Sequence, residues 1–221
     1  MRLFFSAFFK LIFGAILVSL LLFAPAGTFA FQGAWRLLIL LFIPMIFIGI
    51  FFYFFAPETL SRRLRSKESR VKQKGVVALS GIVFIINFLL AGFDFRFGWS
   101  SLPSWVVCGA SILFVFSYGI YAEVMRENEW LSRSIEVAEG QQVVRTGLYE
   151  IVRHPMYTAT IGMFLSMPLI MGSWWAFLAM LPYIPVIMIR IKDEEQFLCE
   201  RLNGYLEYKN AVKWRLLPWI W

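Results

Sequence analysis

Two short polar clusters carry the residues able to do chemistry. The first, Thr146-Gly-Leu-Tyr-Glu-Ile-Val-Arg-His154-Pro-Met-Tyr157, holds the only histidine of the chain. The second, Arg190-Ile-Lys-Asp-Glu-Glu195, lies at the far end of the apolar run that follows. Proline suits the first helical position, so a helix is expected to begin at Pro155 with His154 at its N-cap. The free N–H groups of that first turn favour an anionic group, and Arg153 adds charge. A plain helix start with an interfacial histidine is the simpler local reading. Gly147 ahead of Tyr149 lets a backbone approach a ligand closely and a ring cover it, a pair that carries little weight alone.

Arg190 and Glu194 are four residues apart and share a helix face. An intrahelical ion pair, worth little when exposed, accounts for them most simply. At a membrane boundary, however, charge is costly and points to function. Three consecutive acids, Asp193 to Glu195, repel one another and invite a cationic partner. Arg201, Tyr205 and Tyr208 continue near the same side of that helix.

An anion-favouring helix start facing an acidic, Arg-containing helix suits a zwitterionic or cationic ligand with hydroxyls. S-adenosylmethionine offers a carboxylate, an ammonium, a sulfonium and ribose hydroxyls; other amino-acid or nucleotide ligands fit the same pattern. A single histidine allows neither a metal cluster nor a Ser/His/Asp arrangement. There is no glycine fingerprint for a dinucleotide and no chain of intramembrane acids for a proton-driven pump.

The elements that must position these clusters are membrane helices. Of 221 residues, 60% are hydrophobic and 16% charged, and the mean hydropathy is +0.70. Long apolar runs without strand alternation define an all-α, polytopic helical integral membrane protein. The net charge of +7 sits at segment ends, so it reads as topology and contact with membrane lipids rather than nucleic-acid binding. Cys108 and Cys199 form no metal spacing and no disulfide framework.

Four spans are expected within residues 1–125, at about 3–24, 35–56, 75–92 and 104–122. The first imitates a secretory signal peptide, but its apolar part is long for one, and a retained helix is expected. The run from Ser61 to Lys74 holds seven Lys or Arg and one Glu. By the positive-inside rule it is cytoplasmic. Asn87 is expected to bond across helices, Gly92 to Pro103 to form an outer loop, and the fourth helix to continue to about Ser134.

Residues 126–221 then make a catalytic region within one membrane domain spanning 1–221. Met156–Met171 would be about 24 Å long as a helix, short of the ~30 Å hydrocarbon core. Gly172-Ser173 reads as a turn, and Trp174–Ile189 as a return leg kinked at Pro182 and Pro185. This helical hairpin makes about five membrane-embedded elements and keeps Arg190 beside the basic tail. A cytoplasmic amphipathic helix over 191–210 follows, then Leu216–Trp221 as an interfacial anchor. Both termini and the site are expected on the cytoplasmic face.

At these residues the chain resembles the isoprenylcysteine carboxyl methyltransferases, to which phospholipid methyltransferases are related. The resemblance rests on Gly147–Tyr157, Arg190-x-x-x-Glu194-Glu195, Gly204-Tyr-Leu-Glu-Tyr208 and Arg215-Leu-Leu-Pro218, across roughly residues 140–218. It implies methyl transfer from S-adenosylmethionine to a lipid-like or prenylated substrate entering from the bilayer. By that resemblance Gly147, Leu148, Tyr149, His154, Pro155, Tyr157 and Glu195 would lie along the methyl donor. Arg190 and Glu194 would lie nearest the transferred methyl. Sterol reductases that use NADPH share an Arg-His motif followed by Tyr, and they are the alternative enzyme class. A membrane protein without chemistry is the third reading.

Overall fold

The computed structural model describes residues 2–64, 71–132 and 134–221. The expectations for the basic run at 65–70, and Arg133 in the polar segment, lie outside the described residues. Among those described the chain is helical without strands: α1 (Arg2–Ala26), α2 (Gln32–Phe55), α3 (Pro57–Leu64), α4 (Val71–Phe97), α5 (Ser104–Glu127), α6 (Leu148–Ile151), α7 (Pro155–Met171), α8 (Trp174–Met180), α9 (Tyr183–Arg201) and α10 (Tyr205–Ala211).

Five stretches are long and apolar enough to cross a membrane: Leu3–Ala26, Gln32–Phe55, Gln73–Phe97, Ser104–Glu127 and Trp174–Arg201. Large apolar side chains such as Phe9, Phe13, Phe47 and Phe54 face outward. That is the arrangement expected where the surrounding solvent is lipid and every backbone group is satisfied within a helix.

The hairpin forms as the sequence predicts. Helix α7 ends at Gly172, whose φ of 85° puts it in the left-handed region that glycine adopts without steric cost. Ser173 caps α8 by accepting the Ala176 N–H. The return leg breaks at Leu181-Pro182, so it is two helices rather than one kinked helix. Two other contacts set the bundle. Asn87 Nδ2 donates to Ala176 O at 2.6 Å, tying α4 to α8 as an interhelical bond. Helices α5 and α7 pack closely at Gly162, where any Cβ would run into the Ser117 side chain.

Three helix ends differ from the expectation, two for a local reason and one through a contact made far along the chain. The third helix, described from Val71, runs to Phe97, so Asp94 and Arg96 are helical rather than in the outer loop. Asp94 is buried because Ser100 N and Oγ donate to it at 2.7 Å and Ser173 Oγ also donates. Helix α5 stops at Glu127 and not near Ser134. The Asn128 side chain accepts the Trp130 N–H at 3.0 Å and turns the chain. The helix expected over 191–210 is broken after Arg201, with Gly204 at φ 80°. The C-terminal residues fold back, Arg215 N–H donating to Trp221 O at 2.8 Å, while Trp219 and Ile220 remain exposed.

Candidate active site

One end of the bundle collects α3, the start of α4, the end of α5, α6, the start of α7, the end of α9 and α10. Between them lies a cavity of about 510 Å³, within the range of small-molecule sites. Its lining has two characters. Asn128, Tyr149, His154, Arg190, Glu194 and Tyr205 are among its polar residues, and Val76, Gly81, Phe84, Phe164 and Ile187 among its apolar ones.

His154 is the N-cap of α7 and Pro155 follows at its start, as the sequence predicts. The residues before them are held by the C-terminal segment. Arg153 N–H donates to Trp214 O and His154 N–H to Arg215 O, both at 2.9 Å. The Arg153 guanidinium donates through Nη1 to Val212 O at 2.5 Å and Lys213 O at 2.9 Å. Thr158 Oγ1 reaches Leu216 O at 2.7 Å. The tail thus serves as a brace for the His-Pro corner.

The adjacent acids Glu194 and Glu195 do different things. Glu195 is buried and does not line the cavity. Arg153 Nε meets its Oε1 at 2.7 Å, His154 Nε2 lies 3.3 Å from the same oxygen, and Arg215 Nε meets Oε2 at 3.0 Å. A buried carboxylate persists only with such compensation. Glu194, one residue earlier, lines the cavity. Its Oε2 accepts from the Tyr157 hydroxyl at 2.5 Å, and that hydroxyl accepts from Arg190 Nε at 2.8 Å. Tyr157 therefore joins the two charged side chains that the sequence places on one helix face.

Arg190 is steered further by a residue the sequence reading passed over. Gln73, fully buried at the start of α4, accepts from Arg190 Nη1 at 3.1 Å and donates to Asp193 Oδ2. The available signal was a neutral amide within a run otherwise dense in Lys and Arg. Glu127 and Asn128 were missed as well. Gly147, at φ 54°, leaves room for the Glu127 carboxylate, which any Cβ would strike. Glu127 Oε2 accepts the Leu148 N–H at 3.3 Å. Gly147 and Leu148 therefore stand behind the cavity wall, while Tyr149, His154, Pro155 and Tyr157 stand on it.

Tyr149 is fixed at both ends. Asn128 Nδ2 donates to its hydroxyl at 2.8 Å, and its backbone oxygen accepts from the Tyr208 hydroxyl at 2.8 Å. Burial pushes the Tyr149 phenol above its ordinary pKa, with the Asn128 bond countering in part. Burial likewise raises Tyr208, helped by Tyr149, and Tyr205, helped by the Glu194 charge. These phenols stay neutral across the physiological range and can act as donors. Among the described residues no group of three or more His, Cys, Asp or Glu could hold a metal.

The fold and this cavity define a polytopic helical membrane protein with a mixed polar and apolar site at one end of its bundle. Residues 105–203 match the family model described as phospholipid methyltransferase, a family related to the isoprenylcysteine carboxyl methyltransferases that the sequence motifs resemble. The matched stretch runs from α5 through α9 and holds both polar clusters; α10 and the C-terminal brace lie beyond it. The match supports a membrane methyltransferase acting on lipid-like substrates. No curated protein matches the chain.

Proposed function

We propose that the protein transfers a methyl group from S-adenosylmethionine to a lipophilic acceptor that reaches the cavity from the bilayer. The observation that carries the proposal is the Arg190–Tyr157–Glu194 linkage on the wall of a cavity lined by both polar and apolar residues. S-adenosylmethionine supplies a methyl group activated by its sulfonium. The donor set suits it: the Glu194 carboxylate complements cationic groups, and the neutral phenols and Asn128 beside it complement polar oxygen and nitrogen atoms.

Methyl transfer demands in-line placement more than it demands acid–base chemistry. Tyr157 and Gln73 hold the Arg190 guanidinium in place from two helices. That guanidinium can pair with an acceptor carboxylate of the isoprenylcysteine type. For a thiol or amine acceptor, Glu194 is the group within reach that can take a proton. Val76, Gly81, Phe84 and Phe164 offer apolar surface for the acceptor's hydrocarbon part. Tyr149, His154, Pro155 and Tyr157 would contact the methyl donor, and Gly147, Leu148 and Glu195 would hold those residues in position. The positive-inside rule supports a site, and both termini, on the cytoplasmic face.

Calorimetric titration of the full chain in lipid nanodiscs tests the donor. Binding of S-adenosylmethionine or S-adenosylhomocysteine is expected. Binding of NADPH without either would transfer the site to the reductase class. Incubation with a labelled methyl donor and a total lipid extract, followed by lipid mass spectrometry, identifies the acceptor.

A further inference from the structure

Five tyrosines line the cavity, and four have committed their hydroxyls. Tyr149 takes the Asn128 amide, Tyr157 bridges Arg190 and Glu194, Tyr183 points to Thr160 Oγ1 at 3.5 Å, and Tyr208 donates to Tyr149 O. Tyr205 is the exception. Its side chain is 4% exposed, and its hydroxyl is buried without a hydrogen-bond partner, the only phenol so placed among the described residues.

A buried hydroxyl without a partner is unfavourable and rare in native structures. The ring alone does not explain it. Tyr205 packs beside Tyr208 at 5.7 Å between centroids and within the cluster of Tyr149, Met156 and Leu202, and a phenylalanine would pack the same way. The local backbone is arranged to present this side chain. Helix α9 breaks after Arg201, Gly204 takes φ 80°, and Tyr205 N–H donates to Leu202 O at 3.1 Å before α10 begins. Tyr205 also lies beyond the family match at 105–203.

We propose that the Tyr205 hydroxyl is a binding contact for the methyl donor, completing its hydrogen bond with a hydroxyl or carboxylate oxygen of that nucleoside amino acid. This rests on the methyl-donor reading above. Tyr205 lines the same cavity as Tyr149, His154 and Glu194, so its unpartnered phenol is a candidate partner for a ligand that fills that cavity. The same hydroxyl adds nothing to the ligand-free protein. Stability and affinity are therefore expected to move in opposite senses when it is removed, which a structural hydroxyl would not do.

Tyr205→Phe is the test, with Tyr208→Phe as the structural reference and the full chain in nanodiscs throughout. Without ligand, Tyr205→Phe is expected to melt at or above the wild-type temperature, and Tyr208→Phe below it. By calorimetry, Tyr205→Phe is expected to bind S-adenosylhomocysteine about two- to tenfold more weakly, the loss of one neutral hydrogen bond. Titration with 5′-methylthioadenosine, which lacks the amino-acid carboxylate, locates the oxygen. An equal loss for both ligands assigns it to the nucleoside; a loss for S-adenosylhomocysteine alone assigns it to the carboxylate. Wild-type affinity in Tyr205→Phe, or a melting temperature lowered as in Tyr208→Phe, overturns the inference while leaving the methyl-donor reading intact. Failure of the wild type to bind either nucleoside overturns both.

Discussion

Tyr157 on α7 donates its hydroxyl to Glu194 Oε2 on α9 at 2.5 Å. The bond sets the register of the two legs of the hairpin at the level of the charged pair, because the Tyr157 hydroxyl oxygen also accepts the Arg190 Nε–H. Tyr157→Phe keeps both charges and the ring but removes the link. Single-turnover methyl transfer is expected to slow by up to about 100-fold, the scale of a small misplacement, with less change in donor affinity. Equal losses in rate and in affinity would instead make Tyr157 a general binding residue.

Glu194→Gln and Arg190→Ala act on the groups assigned nearest the reaction. Each is expected to lower methyl transfer by at least about 100-fold, while the protein remains folded. Near wild-type turnover in either variant would remove that residue from the reaction centre.

Glu195→Ala should give the opposite pattern. Arg153 would lose its Oε1 partner while remaining buried, and breaking a buried pair from one side costs about 3–5 kcal/mol. Thermal unfolding is expected at clearly lower temperature, with loss of activity following loss of fold. A wild-type melting curve would contradict the bracing role.

Gly162→Ala places a methyl group against the Ser117 side chain. Overpacking of this kind costs about 1–3 kcal/mol. Adding Ser117→Ala removes the hydroxyl in the way, so the double variant is expected to recover part of the lost stability. The two changes should be non-additive, as for residues in contact; simple additivity would show that α5 and α7 do not meet there.

Orientation can be read with Glu139→Cys, an exposed position between α5 and α6, in a background lacking Cys108 and Cys199. An impermeant maleimide is expected to label it only from the cytoplasmic side. Labelling from outside would invert the topology.

Much of this architecture was open to inspection in the chain. The charge bias and Gly172-Ser173 disclose the hairpin, and Pro155 discloses the start of α7, because these depend on neighbours in sequence. The end of α5 depends on whether the Asn128 side chain turns back onto the Trp130 N–H, a choice that composition does not reveal. Asp94 looks like a loop residue until Ser173, far along the chain, arrives to hydrogen-bond it. The acidic pair is the sharpest case. Helical spacing places Glu194 and Glu195 in different directions, but which of them meets the cavity depends on where Arg153 and Arg215 lie. That in turn depends on the return of residues 212–216, a contact with no local trace.

The brace also imposes an order of events. Arg153 Nη1 bonds Val212 O across 59 positions. At roughly 5–20 residues per second, synthesis of that interval takes about 3–12 s. During this time the His-Pro corner exists without the carbonyls that hold it. The growing chain therefore passes through a stage with α1 to α5 already made and the corner of its cavity unbraced. The pocket takes its final shape only after the spans that carry it have left the ribosome.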